Sequence, residues 1–422
     1  MAPIADPRTF LEMLFTSAVA AADPARVIAS NLPEKPKGRT VVVGAGKGAA
    51  QMARAFEMLW DGPLGGAVVT RYGFGVHCER IEVLEAAHPV PDESGLHASK
   101  RLLADVEGLT KDDLVVALVC GGGSALLPSP PSGLSLQDEI AVNRALLASG
   151  APISAMNCVR KHVSTIKGGR LAAAAYPAKV VSLVVSDIPG DDPALVASGP
   201  TIADESTRDD ALNVIERYGL SLPEKVMQWL ATDAADAPKP SDPKFARNEV
   251  RLIASATVSL EAAAARAREA GIEAIILSDA IEGEAREVGR VHAAIAREVA
   301  QRGRPFSKPV VVLSGGETTV TIKGQGKGGR NSEFLLSLAL AVDGIRGVSA
   351  LAADTDGIDG SEDNAGAFAD STTIARLRGQ RLDPAALLQR NDSWTAFDAL
   401  GDIFKPGPTG TNVNDFRAIL VQ

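Results

Sequence analysis

Aromatic residues are scarce in this chain of 422: Phe, Trp and Tyr together make up 4%. Proteins that track single-stranded nucleic acid stack bases on aromatic rings, so the shortage speaks against that class. A broad cationic surface is lacking too. The formal net charge is −9, whereas nucleic acids and acidic bilayers are met by an excess of Lys and Arg. Neither is an expected partner. Cysteine is limited to Cys78, Cys120 and Cys158, too few and too scattered for a disulfide framework or a zinc site. Cys158, four residues before it, is the only Cys or His close to His162 in sequence, too few for a site, so a metal role for it is not expected. No apolar run nears the roughly 20 residues that span a bilayer. The opening MAPIADPRTFLEMLF carries Asp6, Arg8 and Glu12 and lacks the basic n-region of a secretory signal. A reducing cytoplasm is the expected compartment.

The chain does hold a strict alternation of short apolar runs with helical patterns. Residues 40–43, 67–70, 81–84, 114–120 and 180–186 read as strands, several of them ending in glycine or acid. Such alternation predicts an α/β fold, a parallel sheet wrapped by helices, with ligands gathering beyond the carboxyl ends of the strands. The length predicts two domains. The polar, proline-rich stretch 230–248 is the linker candidate, dividing residues 1–240 from 245–422. A strand at 251–254 then opens the second domain.

Three loops have the composition of anion sites. Gly44-Ala45-Gly46-Lys47-Gly48-Ala49 follows a strand and matches G-x-G-x-x-A, the dinucleotide turn. The second strand ends in Arg71 rather than in the acid that holds an NAD ribose, which leaves NADP as the dinucleotide alternative. Lys47 adds a point charge where helix-start amides already favour anions. Gly121-Gly122-Gly123-Ser124 after a buried strand is a second nest, either an anion site or a tight turn capped by Ser124. The third runs from residue 310 to 334, VVVLSGGETTVTIKGQGKGGRNSEF, placing Lys323, Lys327 and Arg330 among glycines before a helix that begins near Ser332. Its glycines free the backbone to approach a ligand.

Residues 157–170 concentrate Arg160, Lys161, His162, Lys167 and Arg170. At helical spacing Arg160, Ser164 and Lys167 share a face, either solvated or turned to an anion. His88 precedes a proline in a loop. Two acidic stretches, Asp187 to Asp192 and Asp354 to Asp359, offer hard oxygen ligands for Mg²⁺ carried with phosphates, or else form ordinary Asx turns. The second lacks the terminal Glu of an EF-hand.

The motifs VVVGAGKGAAQMARA, HPVPDESG, CGGGSALLPSP, NCVRKHVSTIKGGRLA, VVSDIPGDDPALVASGPT, LSGGETTVTIKGQGKGGRNSEF, AADTDGIDGSEDNAGA and GPTGTNVNDF resemble the bacterial glycerate 2-kinases. Those proteins combine a DUF4147 N-terminal domain with a C-terminal MOFRL domain, and many carry the older name hydroxypyruvate reductase. The resemblance runs in order along nearly the whole chain. It implies a Rossmann-like three-layer N-terminal domain, a C-terminal α/β domain with MOFRL at about 308–416, and an active-site cleft between the two. It also implies transfer of the ATP γ-phosphoryl group, with Mg²⁺, to the 2-hydroxyl of D-glycerate. The family's motif lysine falls on Lys47 and its motif arginine on Arg330.

On that basis Lys47 and Arg330 are expected to clamp the transferring phosphate, and Asp187 to take the hydroxyl proton. Gly121, Gly122, Gly123, Ser124, Arg160 and His88 are expected around the acceptor. Gly44, Gly46, Lys47, Ser314, Gly315, Gly316, Glu317, Thr318, Lys323 and Asn331 are expected around the nucleotide, and Asp187, Asp192 or Asp356 at the metal. A homodimer is the assembly to look for. The alternative activity is an NADPH-dependent hydroxypyruvate reductase using residues 44–49 and Arg71.

Overall fold

The computed structural model describes residues 4–188 and 190–422. Pro189, part of the first acidic stretch, lies outside them. Two compact units emerge, Pro24–Ile253 and Met1–Asp23 with Ala254–Gln422. The unit boundary therefore differs from a cut at 240–245, and the chain crosses between units twice.

The first crossing involves α1 (Pro7–Ala21), which starts cleanly because the Asp6 carboxylate accepts from the N–H groups of Arg8 and Thr9, with Pro7 in the first turn. Its apolar stripe of Phe10, Leu11, Leu14 and Phe15 is buried with residues of the C-terminal unit. The Phe15 ring meets the edges of Phe404 at 5.0 Å and Phe416 at 5.8 Å. Burying four such side chains contributes on the order of 10 kcal/mol as an upper estimate, which ties this helix to the far end of the sequence.

The unit at 24–253 is built on a sheet of β1 (Thr40–Ala45), β2 (Leu64–Arg71), β3 (Glu82–Ala86), β4 (Leu114–Cys120), β5 (Lys179–Val185) and β6 (Glu249–Ala254), with α2 (Ala49–Leu59) following β1 and α3 (Ile153–His162) preceding β5. Strand order is β3-β2-β1-β4-β5-β6. The pairs β3–β2, β2–β1, β1–β4 and β4–β5 are parallel. β1, β4 and nearly all of β5 are buried along their length, the signature of strands covered on both faces. The order reverses between β1 and β4, so the crevice at their carboxyl ends receives residues 46–48 and 121–124. The segment 230–248 is no free linker: it carries short 3₁₀ turns at Asp233–Ala235 and Pro243–Phe245. The strand after it completes the first sheet instead of opening the second, and Asn248 Oδ1 accepts from the Val180 N–H at 3.1 Å.

The other unit holds α4 (Ala256–Glu269), β7 (Glu273–Ile276), α5 (Ala285–Arg302), β8 (Val310–Gly316), α6 (Arg330–Ala341), β9 (Val348–Asp354), β10 (Gly366–Asp370), β11 (Ile403–Phe404) and β12 (Asp415–Val421). Strand order is β11-β10-β9-β12-β8-β7. This sheet is mixed rather than parallel. β7 and β8 run parallel, while β8–β12, β12–β9, β9–β10 and β10–β11 are antiparallel. The cause is the last strand: β12 inserts between β8 and β9, an antiparallel partner to both, and nothing in a local helix–strand alternation reveals that insertion.

Candidate active site

In the 24–253 unit the loop 121–124 is a hub because its glycines make room for other side chains. A Cβ on Gly121 would overlap the Asp187 carboxylate, and one on Gly123 would overlap Ala197. At Gly122, whose φ is 77°, a Cβ would lie 3.0 Å from Lys47 Cγ and 3.2 Å from His88 Nε2. Lys47 is anchored through its backbone: its N–H donates to Gly121 O at 2.8 Å and its carbonyl accepts from Thr70 Oγ1 at 3.1 Å. Gly46 cannot carry a side chain either, since a Cβ there would strike Cys120. The same dense packing pushes the Cys120 thiol up to about 12, mainly by burial, so it stays protonated.

Among the described residues no carboxylate pairs with the half-buried Lys47 ammonium. Beside it, burial first, then the charges of Lys47 and Arg71, push the His88 imidazole down to about 4. His88 is therefore neutral at physiological pH and can offer one donor or one acceptor, not a charge. Gly123 and Ser124 open a short helix, Gly123–Leu126, whose first N–H groups have no intrahelical acceptor.

From Ser124 a chain of hydrogen bonds runs inward. Ser124 Oγ meets Ser198 Oγ at 2.8 Å, Ser198 Oγ donates to Asn157 Oδ1 at 3.0 Å, and Arg160 Nη1 donates to the same oxygen at 3.2 Å. Arg160 Nε donates to Asn143 Oδ1 at 2.8 Å. No carboxylate pairs with Arg160 among the described residues. Burial lowers its pKa from the usual guanidinium value, with Glu139 opposing. Arg160 thus remains a cation held by neutral oxygens, as an anion site requires.

The rest of the basic stretch is engaged internally. α3 ends at His162, so Ser164 and Lys167 lie beyond the helix and do not share its face with Arg160. Lys167 pairs with buried Glu139 at 2.7 Å. Lys161 pairs with Asp204. Arg170 donates to the carbonyls of Lys161, Lys167, Ala235 and Asp236. The His162 ring meets the Cys158 carbonyl at 2.8 Å. Their chemistry serves folding, because a buried cation must find oxygen partners. Asp192 forms an Asx turn with the Ala194 N–H at 2.9 Å, as does Asp356 with the Ile358 N–H at 2.9 Å.

In the C-terminal unit the glycine-rich stretch is packed tightly. Ser314, Gly315 and Gly316 belong to β8 and are buried in its ladder with β12. Ser314 Oγ meets His292 Nε2 at 2.9 Å, while His292 Nδ1 donates to Val288 O at 2.9 Å. The Ser314 side chain thus faces the core. A Cβ on Gly324, Gly326, Gly328 or Gly329 would overlap Arg390, Asp392, Ser393 or Asp359. These glycines permit close packing; they do not loosen the loop.

Arg330 is the centre of a charge cluster. Nε donates to Asp415, Nη1 to Glu317 and Nη2 to Asp354, each at 2.7 Å. Burial opposes the charge, but those three carboxylates outweigh it and raise the Arg330 pKa above the usual guanidinium range. Asp415 also accepts from Thr318, Asn331 and the fully buried Arg417. The first amides of α6 are satisfied as well. The N–H groups of Asn331 and Ser332 donate to the Asp359 carboxylate, each at 2.9 Å. The chain's own acid occupies the helix start read as an anion site. Lys323 is exposed, and Lys327 faces Glu362 at 3.5 Å.

Nothing in the spacing of Asn143, Asn157 and Ser198 marked them. Asn157 and Ser198 lie inside the motif stretches NCVRKHVSTIKGGRLA and VVSDIPGDDPALVASGPT, and Asn143 lies outside them.

Two family matches cover this architecture. Residues 10–231 match the family described as "Domain of unknown function (DUF4147)", and residues 310–415 match the MOFRL family. D-glycerate 2-kinase of Thermotoga maritima is 42% identical over 395 residues, covering 93% of each chain. The chain belongs to the glycerate 2-kinase family. A family member from Agrobacterium vitis, provisionally named a hydroxypyruvate reductase, is 54% identical over 98% of this chain and 94% of its own. The crystal structure of a glycerate kinase from Thermotoga maritima superposes with a TM-score of 0.90 at 40% identity, covering 98% of this chain and 99% of that one. Both names within this family thus attach to chains that match almost end to end.

Proposed function

We propose that this protein transfers the γ-phosphoryl group of ATP to the 2-hydroxyl of D-glycerate, giving 2-phosphoglycerate and ADP. The observation that carries the reading on this chain's own residues is two cations with no carboxylate partner among the described residues, Lys47 against the loop 121–124 and Arg160 joined to it through Asn157, Ser198 and Ser124. The Arg160 fork holds the glycerate carboxylate, supported by the loop's amides. Lys47 takes the transferring phosphoryl oxygens, while negative charge builds on the ADP oxygen as its bond to phosphorus breaks. Asp187, against Gly121, accepts the proton as the glycerate oxygen bonds to phosphorus. His88 stays neutral and hydrogen-bonds the acceptor.

Among the described residues no group of three or more His, Cys, Asp or Glu is arranged to hold a metal. That suits Mg²⁺, which is bound through one or two carboxylates together with substrate phosphates. Asp187 and Asp192 are the residues of this unit that would contact it. When bound, Mg²⁺ neutralises phosphate charge. In the C-terminal unit, exposed Lys323, Glu317 and the backbone around Thr318 are the candidates for nucleotide contact. Arg330 keeps its three carboxylates in that unit, and Asp356, beside Asp354, is the competing candidate for the metal.

The hydroxypyruvate reductase reading has one observation in its favour, the G-x-G-x-x-A turn at the switch point of a Rossmann-ordered sheet. One experiment separates the two. Purified protein is given D-glycerate with Mg·ATP, following ADP, and separately hydroxypyruvate with NADPH, following absorbance. Glycerate-dependent ADP formation is expected; NADPH oxidation without it would replace the kinase reading with the reductase.

A further inference from the structure

The hydrogens around Ser124 can be assigned by counting donors. Asn157 Nδ2 donates to Leu195 O at 3.0 Å, so Oδ1 is its acceptor end. That oxygen receives both Ser198 Oγ and Arg160 Nη1. A serine has one hydroxyl hydrogen. Ser198 commits its hydrogen to Asn157, so the Ser124–Ser198 contact at 2.8 Å is made with the hydrogen of Ser124. Ser124 then has only lone pairs left for a ligand. It can accept from a hydroxyl, but it cannot donate to a carboxylate.

The same oxygen fixes Arg160. With Nε on Asn143 and one Nη1 hydrogen on Asn157, the guanidinium plane is set and Nη2 has no partner among the described residues. A neutral amide can orient the cation without cancelling its charge. An acid at position 157 would instead pair with Arg160 and compete with any anionic ligand. Asn157 and Ser198 are buried, 2% and 0% exposed, so solvent does not randomise the network. The backbone is specialised to deliver Ser198: Ala197 and Ser198 have φ of 52° and 59°, followed by Gly199 at 57°. Two consecutive non-glycine residues in the left-handed region persist only where surrounding structure holds them, commonly at functional sites.

We infer that Asn157 is a positioning residue for the acceptor substrate. It aims Arg160 at the carboxylate and, through Ser198, keeps Ser124 an acceptor for the hydroxyl that is not phosphorylated. The site is thereby matched to a short acid carrying two hydroxyls. This rests on the kinase reading above.

The test is steady-state kinetics of Asn157→Asp, varying D-glycerate at saturating Mg·ATP and the reverse. The expected result is a KM for D-glycerate raised at least tenfold, with kcat and the KM for ATP close to wild type; Tm falls, because a carboxylate oxygen replaces the Nδ2 donor to the Leu195 carbonyl. Ser198→Ala, a smaller change, guards against misfolding of the first variant; a rise of about threefold or more in the same KM alone is expected. An unchanged KM in both variants overturns the inference. So does a parallel loss of kcat, both KM values and Tm, which would mark a purely structural role. Wild-type protein that forms no ADP from D-glycerate would remove the kinase reading and this inference with it. Active wild type with unaffected variants removes the inference alone.

Discussion

Lys47 and Arg330, the two cations that the motif resemblance pairs, live in opposite electrostatic surroundings. Among the described residues Lys47 has no acid as partner, and Arg330 is held by Glu317, Asp354 and Asp415. Replacing each by Met should therefore have different consequences. Lys47→Met is expected to lower kcat/KM by about a hundredfold or more, the scale of a lost donor to developing charge, while leaving Tm within a few degrees. Arg330→Met leaves the largely buried Asp354 without its cation and Asp415 with Arg417 alone, and should cost about 3–5 kcal/mol of stability, as removing one partner of a buried pair does. Thermal unfolding beside the kinetics decides it: an Arg330→Met protein as stable as wild type would contradict the structural part of that role. Lys47 was legible as a candidate from its motif, a lysine within a strand–helix turn. Asn157 and Ser198 were not, since the hydrogen bond that joins them spans 41 residues of chain.

At the scale of single elements, β8 shows how an apparent ligand loop becomes core. Its Ser314 is bonded to His292, whose imidazole burial pushes down to about 4. The unfolded histidine titrates near 6.5. Between these values the unfolded chain binds the extra proton, so this residue's stability is fully present above about pH 6.5 and is lost as pH falls toward 4. The full span is on the order of 3 kcal/mol. Urea midpoints at pH 7.5, 6 and 5 should fall more steeply for wild type than for His292→Gln; parallel lines would refute the assignment. Helix and strand identities along the chain were largely legible, because period and glycine punctuation are local. The end of α3 at His162 was not. The basic residues beyond it continue a helical spacing, but Lys167 and Arg170 are drawn to Glu139 and to carbonyl oxygens elsewhere in the fold.

For the whole molecule, α1 decides where the compact units divide. A fragment of residues 254–422 exposes the apolar surface that Phe10, Leu14 and Phe15 cover and should be unstable or aggregate. Joining residues 4–23 to it through a short linker should restore a cooperative transition, seen by circular dichroism. A stable, monomeric 254–422 fragment would show that the helix contributes little. No helix among the described residues is long and apolar enough to cross a membrane.

The amino-acid order alone specified two α/β halves, the Gly-rich turns at strand ends and the family, and it offered Lys47 as a candidate, since each is written in local pattern and short motif. Folding settled what local pattern does not encode. It inserted β12 between β8 and β9, returned α1 to the C-terminal half and neutralised Arg330 with three acids. Among the described residues it also gave Lys47 and Arg160 no carboxylate partner. A side chain's available charge depends on which distant groups the fold brings within hydrogen-bonding reach.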